Sequence, residues 1–246
     1  MNKLTVVIIG GRSDIGLALA HRFARMGHPI VLAARHADDL QDRLTDLSVR
    51  YGVAAQAREV DVLRPESFGA FLDGLPADTG IAISVVGLMP DQQAIERDPP
   101  AVQRTVDSNF TGPMLLLEMA AHRYAAARLP GAAVIGISSV AGDRGRARNY
   151  WYGAAKAAFS AGLSGLRQRH ARHGLLVMTV KPGFVSTRMT AGMQLPPALT
   201  DTPQQVAELV YQGYCKRRMV VYPWKWRLIM TIIQLIPERV FSRMKF

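Results

Sequence analysis

Apolar residues along this chain fall into short continuous runs, separated by segments in which they recur every third or fourth position. Residues 4–9 form a run of strand length, the pattern of a parallel strand buried on both faces. Glycine-rich residues 10–16 follow, and then Leu17, Leu19, Ala20, Phe23 and Ala24 repeat with a helical period. The alternation continues with a strand over 29–34, a helix over 38–51, a weaker strand over 53–60, a helix over 65–75 and a strand over 80–86 that closes on Gly87. Residues 89–100 read as a loop with three prolines, and 102–128 as a helix interrupted at Gly112-Pro113. A strand at 134–137, a helix through Phe159, Leu163 and Leu166 to residue 172, and a strand at 175–181 complete the pattern. Such alternation predicts an α/β domain with a doubly wound parallel sheet. No repeat, low-complexity segment or linker divides it.

Composition narrows this picture. At 246 residues, 49% apolar and 20% charged, the chain is globular and long enough for one large core. Its single cysteine, Cys215, excludes an internal disulfide framework and fits a reducing compartment. The apolar run before Gly10 is shorter than a signal-peptide core, so a cytoplasmic location is expected.

Charge is unevenly placed. Residues 216–246 carry eight Lys or Arg against one acid, Glu238, so +7 of the net +11 lies at the C-terminal end. A basic tail can meet nucleic acid or an anionic membrane. Here Trp224 and Trp226 stand beside Lys225 and Arg227, ahead of an apolar run at 228–233. That run is too short to span a bilayer, which takes about 20 apolar residues, and the tail lacks a dense basic run for nucleic acid. An interfacial segment fits, with Arg239, Arg243 and Lys245 toward anionic headgroups. A helix covering a sheet edge or a dimer interface would show the same pattern. The chain therefore divides into residues 1–222 and a basic amphipathic extension, 223–246, expected to sit peripherally on the inner membrane face.

Two stretches carry chemistry. Residues 10–16 read Gly-Gly-Arg-Ser-Asp-Ile-Gly between strand and helix, the context of a dinucleotide fingerprint whose helix N-terminus faces a pyrophosphate. An ordinary glycine-rich turn looks alike. Where an NAD site usually has an acid, the second strand ends Ala34-Arg35. Arg12 and Arg35 suit a ribose 2′-phosphate and hence NADP(H) over NAD(H), unless Arg35 only opens a solvated helix. Asp61 at the end of the third strand could accept from an adenine amino group or cap a helix. Asn109 lies inside an apolar-periodic helix, where asparagine needs an explanation.

The second stretch is residues 134–156. A buried strand ends in Ser138 and Ser139, and Tyr152 and Lys156 follow, four residues apart and so on one helical face. A phenol with a pKa near 10 is a poor acid or base at neutral pH, and a neighbouring ammonium would lower it. With a serine holding the carbonyl oxygen, this set can protonate a ketone while hydride moves elsewhere. Arg144, Arg146 and Arg148 lie between the serine and the tyrosine, which points to a phosphate-bearing substrate or to a solvated loop. No metal site is expected.

Together these residues resemble the short-chain dehydrogenase/reductase family over residues 4–222. The resemblance implies a Rossmann-type fold, hydride transfer from NADP(H), and catalytic roles for Ser139, Tyr152 and Lys156. In it Asn109 is a fourth member that holds a water in the proton relay. Its implied cofactor site comprises Gly10, Arg12, Ser13, Asp14, Ile15, Gly16, Arg35, Asp61, Val62, Gly87, Tyr152, Lys156, and the loop of Pro182, Gly183, Val185 and Thr187 at the nicotinamide carboxamide. Two departures stand out. Asp14 replaces a glycine and brings a carboxylate near the phosphates unless it turns away or pairs with Arg12. Ser84-Val85-Val86-Gly87 replaces Asn-Asn-Ala-Gly. Within the family, the Ser-Ser-Val-Ala-Gly-Asp-Arg segment, residues 181–189 and the Pro237-x-x-x-Phe241 ending resemble the branch that reduces decaprenylphosphoryl-2-keto-ribose. That branch implies a polyprenyl-phosphate sugar substrate, a flavoprotein oxidase partner and an anionic membrane surface. A homo-oligomer is expected, and no nucleic-acid partner. The competing readings are a soluble NADPH reductase of small ketones or 3-oxoacyl substrates, and a catalytically idle NADP-binding regulator. Retention of Asn109, Ser139, Tyr152 and Lys156 argues against the regulator.

Overall fold

A computed structural model of the chain describes residues 3–244. Strand β1 (Thr5–Ile9) is buried along its whole length, and its side chains alternate between two cores. Val6 and Ile8 face one cluster, Val7 and Ile9 the other, as the period of two in a strand requires. The other central strands do the same: β2 (Ile30–Ala34), β4 (Thr79–Ser84), β5 (Ala133–Ile137) and β6 (Leu176–Val180). With β3 (Ala55–Glu59) at one edge and the two-residue β9 (Val220–Val221) at the other, they form a parallel sheet in the order β3-β2-β1-β4-β5-β6-β9.

Helices cover both faces. Helices α1 (Asp14–Ala24), α2 (Gln41–Tyr51) and α7 (Pro203–Cys215) close the first core with Phe23, Leu44, Leu47 and Val210. Helices α3 (Phe68–Asp73), α5 (Gly112–Ala127) and α6 (Tyr150–His170) close the second with Phe68, Leu116, Phe159 and Leu163. This is the doubly wound, Rossmann-type single domain that the alternation predicts.

Several local readings change. The span 89–100 contains a helical turn at Gln92–Ile95, and helix α4 (Pro99–Val106) starts inside it, capped by Asp98. Gly112-Pro113 does not break the long helix. The chain widens into a π segment at Asp107–Thr111 and runs on as α5. Proline lacks the N–H for a bond four residues back, and the extra residue in the wider turn absorbs that gap. The short pair β7 (Phe184–Val185) and β8 (Thr200–Asp201) and the edge strand β9 carry too little pattern to be foreseen, whereas helix α7, with its Thr202/Gln205 capping box and Val206, Ala207, Val210 and Tyr211 at helical spacing, was readable and missed.

The basic extension is a helix, α8 (Trp224–Leu235), and a final turn at Glu238–Phe241. Its inner face buries Trp226 and Met230 against Val140, with Phe184, Leu199 and Tyr222 around them. Lys245 lies outside the described residues. Among the described residues no helix is long and apolar enough to cross a membrane.

Candidate active site

Strand order reverses between β1 and β4, which opens a crevice at the carboxyl ends of the central strands. The crevice holds a cavity of about 140 Å³ and is lined by Ile15, Val86, Gly87, Ser139, Tyr152, Lys156, Pro182, Gly183, Val185 and Thr187. The structure thus brings the two chemical stretches of the sequence to one place.

The serines after β5 point in different directions. The Ser138 hydroxyl donates to the Lys156 carbonyl (2.9 Å) and contacts Ser160 Oγ (2.7 Å), so it ties strand to helix. Ser139 Oγ accepts from the Ala141 N–H (3.1 Å) and stays beside Tyr152. Lys156 is buried, and its Nζ donates to the carbonyls of Val86 (3.2 Å) and Ile137 (3.1 Å), 5.7 Å from the Tyr152 ring centre. Val86 thus serves through its backbone, while the Ser84 hydroxyl, where an asparagine was expected, is buried without a hydrogen-bond partner. Gln92 is a residue the sequence did not flag. Buried in the turn before α4, its Oε1 accepts from the Trp151 N–H (3.2 Å) and holds the first turn of α6 next to Tyr152.

Desolvation acts on both Tyr152 and Lys156. Burial pushes the phenol up to about 12, and the Ser139 hydroxyl pulls it only partly back. The same desolvation pushes the Lys156 amine down to about 7. Lys156 is buried and Tyr152 half-buried on the crevice wall, and that desolvation disfavours charge on both. A phenol that stays protonated at neutral pH is the form that donates to a forming alkoxide, so the arrangement suits carbonyl reduction.

Asn109 has a structural explanation. Fully buried, its Nδ2 donates to the carbonyls of Leu88 (2.7 Å) and Thr105 (2.8 Å), and its Oδ1 accepts from the Leu88 N–H (3.2 Å). Both amide donors are therefore spent on backbone, and the side chain pins the end of β4 beside Gly87.

The glycine turn fits a dinucleotide. Gly10 has φ +94°, and a Cβ on Gly16 would stand 2.6 Å from the Gly10 carbonyl oxygen, so the α1 N-terminus comes close to the strand end and leaves room for a pyrophosphate. Ser13 acts inside the turn: its Oγ donates to Gly10 O (2.8 Å) and accepts from Gly16 N–H (3.0 Å). Asp14 does not pair with Arg12. Its carboxylate accepts from the backbone N–H (2.8 Å) and guanidinium (3.0 Å) of Arg188, which also donates to the Arg12 carbonyl. Arg12 instead meets Asp39 at 2.8 Å. Exposed Arg35 follows β2. Asp61 Oδ1 accepts from Leu63 N–H (3.0 Å), a local turn rather than a helix cap. Val62 is buried in the second core with its carbonyl against Gly112, so it can meet a cofactor only through its backbone.

The three loop arginines separate completely. Arg144 is corrected as a substrate residue. Its guanidinium donates to the carbonyls of Ile233, Gln234 and Ile236, pairs with Glu238 (2.6 Å) and stacks on Phe241, which closes the C-terminal end of α8. Arg148 is exposed and carries no contact into the crevice. Arg146 lines it, its Nη2 against Met230 Sδ (3.2 Å). Beneath this loop Asp143 joins Lys181 (2.5 Å) and the Tyr222 hydroxyl (2.9 Å). Gly183 faces the Trp226 indole so closely that a Cβ there would overlap the ring, at 1.9 Å from its nitrogen. Trp226 Nε1 donates to the Leu199 carbonyl (2.9 Å). Sequence reading missed Asp143, Lys181, Tyr222 and Trp226 as site supports because their partners lie 27 to 79 positions away.

Comparison with known proteins agrees with this geometry. Residues 4–196 match the short chain dehydrogenase family. An oxidoreductase of Mycobacterium tuberculosis is 36% identical over 97% of this chain and 96% of its own. A cis-4-hydroxycyclohexanecarboxylate dehydrogenase of Sinomonas cyclohexanicum is 28% identical over 83% and 86%. Among solved structures, a short-chain dehydrogenase from Sphingobium yanoikuyae in complex with NADPH superposes with a TM-score of 0.80, at 25% identity over 98% of this chain and 97% of that one.

Replacing Tyr152 by Phe should lower kcat by about 10²–10⁴, the usual range for one proton-transfer group, while NADPH titration by fluorescence changes little. Turnover near that of the wild type would remove the phenol from the reaction. The amine supplies a pH test. Because the folded pKa of Lys156 lies below its unfolded value, the unfolded chain holds more protons between about 7 and 10.5, and stability rises with pH through that window. Tyr152, raised to about 12, opposes this only above pH 10. The urea midpoint of the wild type should therefore climb between neutral pH and the onset of tyrosine titration. It should climb less in Lys156→Met, and equal slopes would show that the amine is not desolvated. Arg188→Ala should weaken NADPH binding several-fold by leaving Asp14 unpaired beside the phosphates, and adding Asp14→Ala should restore it. A double variant as weak as the single one would mean that Arg188 itself contacts the cofactor.

Proposed function

The chain belongs to the short chain dehydrogenase family and is an NAD(P)-dependent oxidoreductase, and from that premise we propose that it reduces the keto group of a polyprenyl-phosphate sugar with NADPH. The nicotinamide supplies hydride to the carbonyl carbon. Ser139 holds the carbonyl oxygen, Tyr152 gives it a proton, and Lys156 orients the ribose from its seat on two strand-end carbonyls.

The observation that carries the substrate reading is Arg146. Its guanidinium lines the crevice, its Nε is buried without a hydrogen-bond partner, and desolvation pushes its pKa down. A buried cation with unspent donors is costly, and a phosphate or carboxylate oxygen arriving beside Ser139 and Tyr152 would relieve that cost. Met89, Met189 and Met193 also line the crevice, giving a deformable apolar wall suited to a lipid chain. The related cis-4-hydroxycyclohexanecarboxylate dehydrogenase acts, by its name, on a ring alcohol that carries an anion. Such a keto sugar must come from oxidation of the corresponding alcohol, and a flavoprotein oxidase is the partner class we infer.

The NADPH preference draws on Arg12 and Arg35, both exposed at the ends of β1 and β2, and on the NADPH held by the Sphingobium yanoikuyae relative. A second reading, reduction of small neutral ketones, draws on the largely apolar crevice wall. The two separate in one assay. NADPH oxidation on a polyprenyl-phosphate 2-keto sugar should fall at least tenfold in kcat/KM for Arg146→Met, about what one charge-assisted hydrogen bond contributes, while reduction of cyclohexanone is unchanged. Equal losses on both substrates, or no turnover of the lipid phosphate, would exclude the anionic-substrate reading.

A further inference from the structure

Helix α8 has two apolar faces, and the domain covers only one of them. The inner face, with Trp226, Ile229, Met230 and Ile233, packs on the loops around the crevice. On the outer face Trp224 is 73% exposed, Leu228 58%, Ile232 57% and Leu235 79%. At 100° per residue these four fall within an arc of about 80°, with Arg227 on one flank and Lys225 on the other. Past the helix, Val240 is 53% exposed and Met244 42%. Arg239 and Arg243 are exposed nearby, and the one acid of the segment, Glu238, is neutralised by Arg144. Large side chains left in water on one helical stripe mark a docking face.

We propose that the outer face of α8 docks on an anionic phospholipid bilayer. Charge selects this occupant. The charges flanking the stripe, Lys225 and Arg227, are basic, as are Arg239 and Arg243 beyond it, so a second copy of the chain would set arginine against arginine across a two-fold axis. An anionic headgroup layer complements those charges, and the apolar stripe enters beneath it. Tryptophan at the helix start, with Lys225 Nζ 5.8 Å from its ring centre, is the pairing found at membrane interfaces. A twelve-residue helix reaches only about 18 Å, so it lies in the interface plane. Docking does not depend on which carbonyl is reduced. It has a consequence for the site all the same, because the inner face of this helix holds Gly183 through Trp226 and Arg146 through Met230. The crevice mouth is thus fixed relative to the lipid surface.

The test is co-sedimentation of the full chain with vesicles of phosphatidylcholine alone or mixed with phosphatidylglycerol. Binding is expected on the mixed vesicles only and should weaken with salt. The variant Trp224→Ser/Leu228→Ser/Ile232→Ser should bind at least about tenfold less, since each large apolar side chain is worth that much when buried. Arg227→Glu/Arg239→Glu should lose the preference for phosphatidylglycerol. Thermal midpoint and NADPH affinity, unchanged in both, certify the fold. Absence of wild-type binding, equal binding by the apolar variant, or equal binding to neutral vesicles overturns the proposal. So does a wild-type dimer in gel filtration that the apolar variant dissolves, because the face would then belong to a second copy. Vesicle binding without turnover of a lipid keto sugar would refute the substrate reading and leave docking intact, and turnover without vesicle binding the reverse.

Discussion

One buried amine holds the catalytic edge of this protein together. Lys156 donates to the carbonyl of Val86, just past β4, and to that of Ile137, at the end of β5. Both carbonyls have run out of sheet partners there, and a buried carbonyl without a donor is costly. The side chain that satisfies them comes from the second turn of α6, so the same bonds set the depth at which that helix sits. Tyr152, one turn earlier, is thereby aimed into the crevice, and Ser138 fastens the helix again from the strand side. The cost is desolvation, which pushes the Lys156 amine down to about 7, while the phenol's own burial pushes Tyr152 up to about 12.

The opposite wall of the crevice is assembled from the C-terminal end of the chain. Trp226 fills the space over Gly183, Arg144 reaches across to close the end of α8, and Asp143 gathers Lys181 and Tyr222. The Asp143–Lys181 pair has little exposure, 1% and 15% for the two side chains, and a buried pair of that kind specifies geometry more than it adds stability. It determines where the loop after Ser139 can run. The extension is thus part of the site's architecture on one face and exposed on the other. Asp14 and Arg188 add a polar tie between the glycine turn and the loop after β7, which makes a carboxylate acceptable in a place meant for phosphates.

Much of this was legible in the chain itself. Continuous apolar runs marked the buried strands, and the fully buried β1, β2, β4, β5 and β6 follow those runs to within a residue or two. The glycine turn, and Ser139, Tyr152 and Lys156 at their spacing, are local or nearly local patterns, so the order of elements and the chemistry at the sheet's edge could be read from them. What a strand or helix must bury is written in its own residues, because period and side-chain volume are properties of a few consecutive positions.

Other features depend on neighbours far away in sequence. Arg144, Arg146 and Arg148 are equivalent on paper. The fold turns the first to the end of α8, the second into the crevice and leaves the third in water. Which of Ser138 and Ser139 faces the crevice, why Asn109 tolerates a helix interior, and which face of α8 is covered are likewise decided by packing. The two-residue β9 exists only because β6 offers it an edge. The sequence by itself determined the layered sheet and the residues that meet at its carboxyl edge, since both rest on short-range periodicity and spacing. Only the tertiary structure decided what each charged or amphipathic side chain does, because its role depends on the partner that folding delivers and on how much water that partner leaves behind.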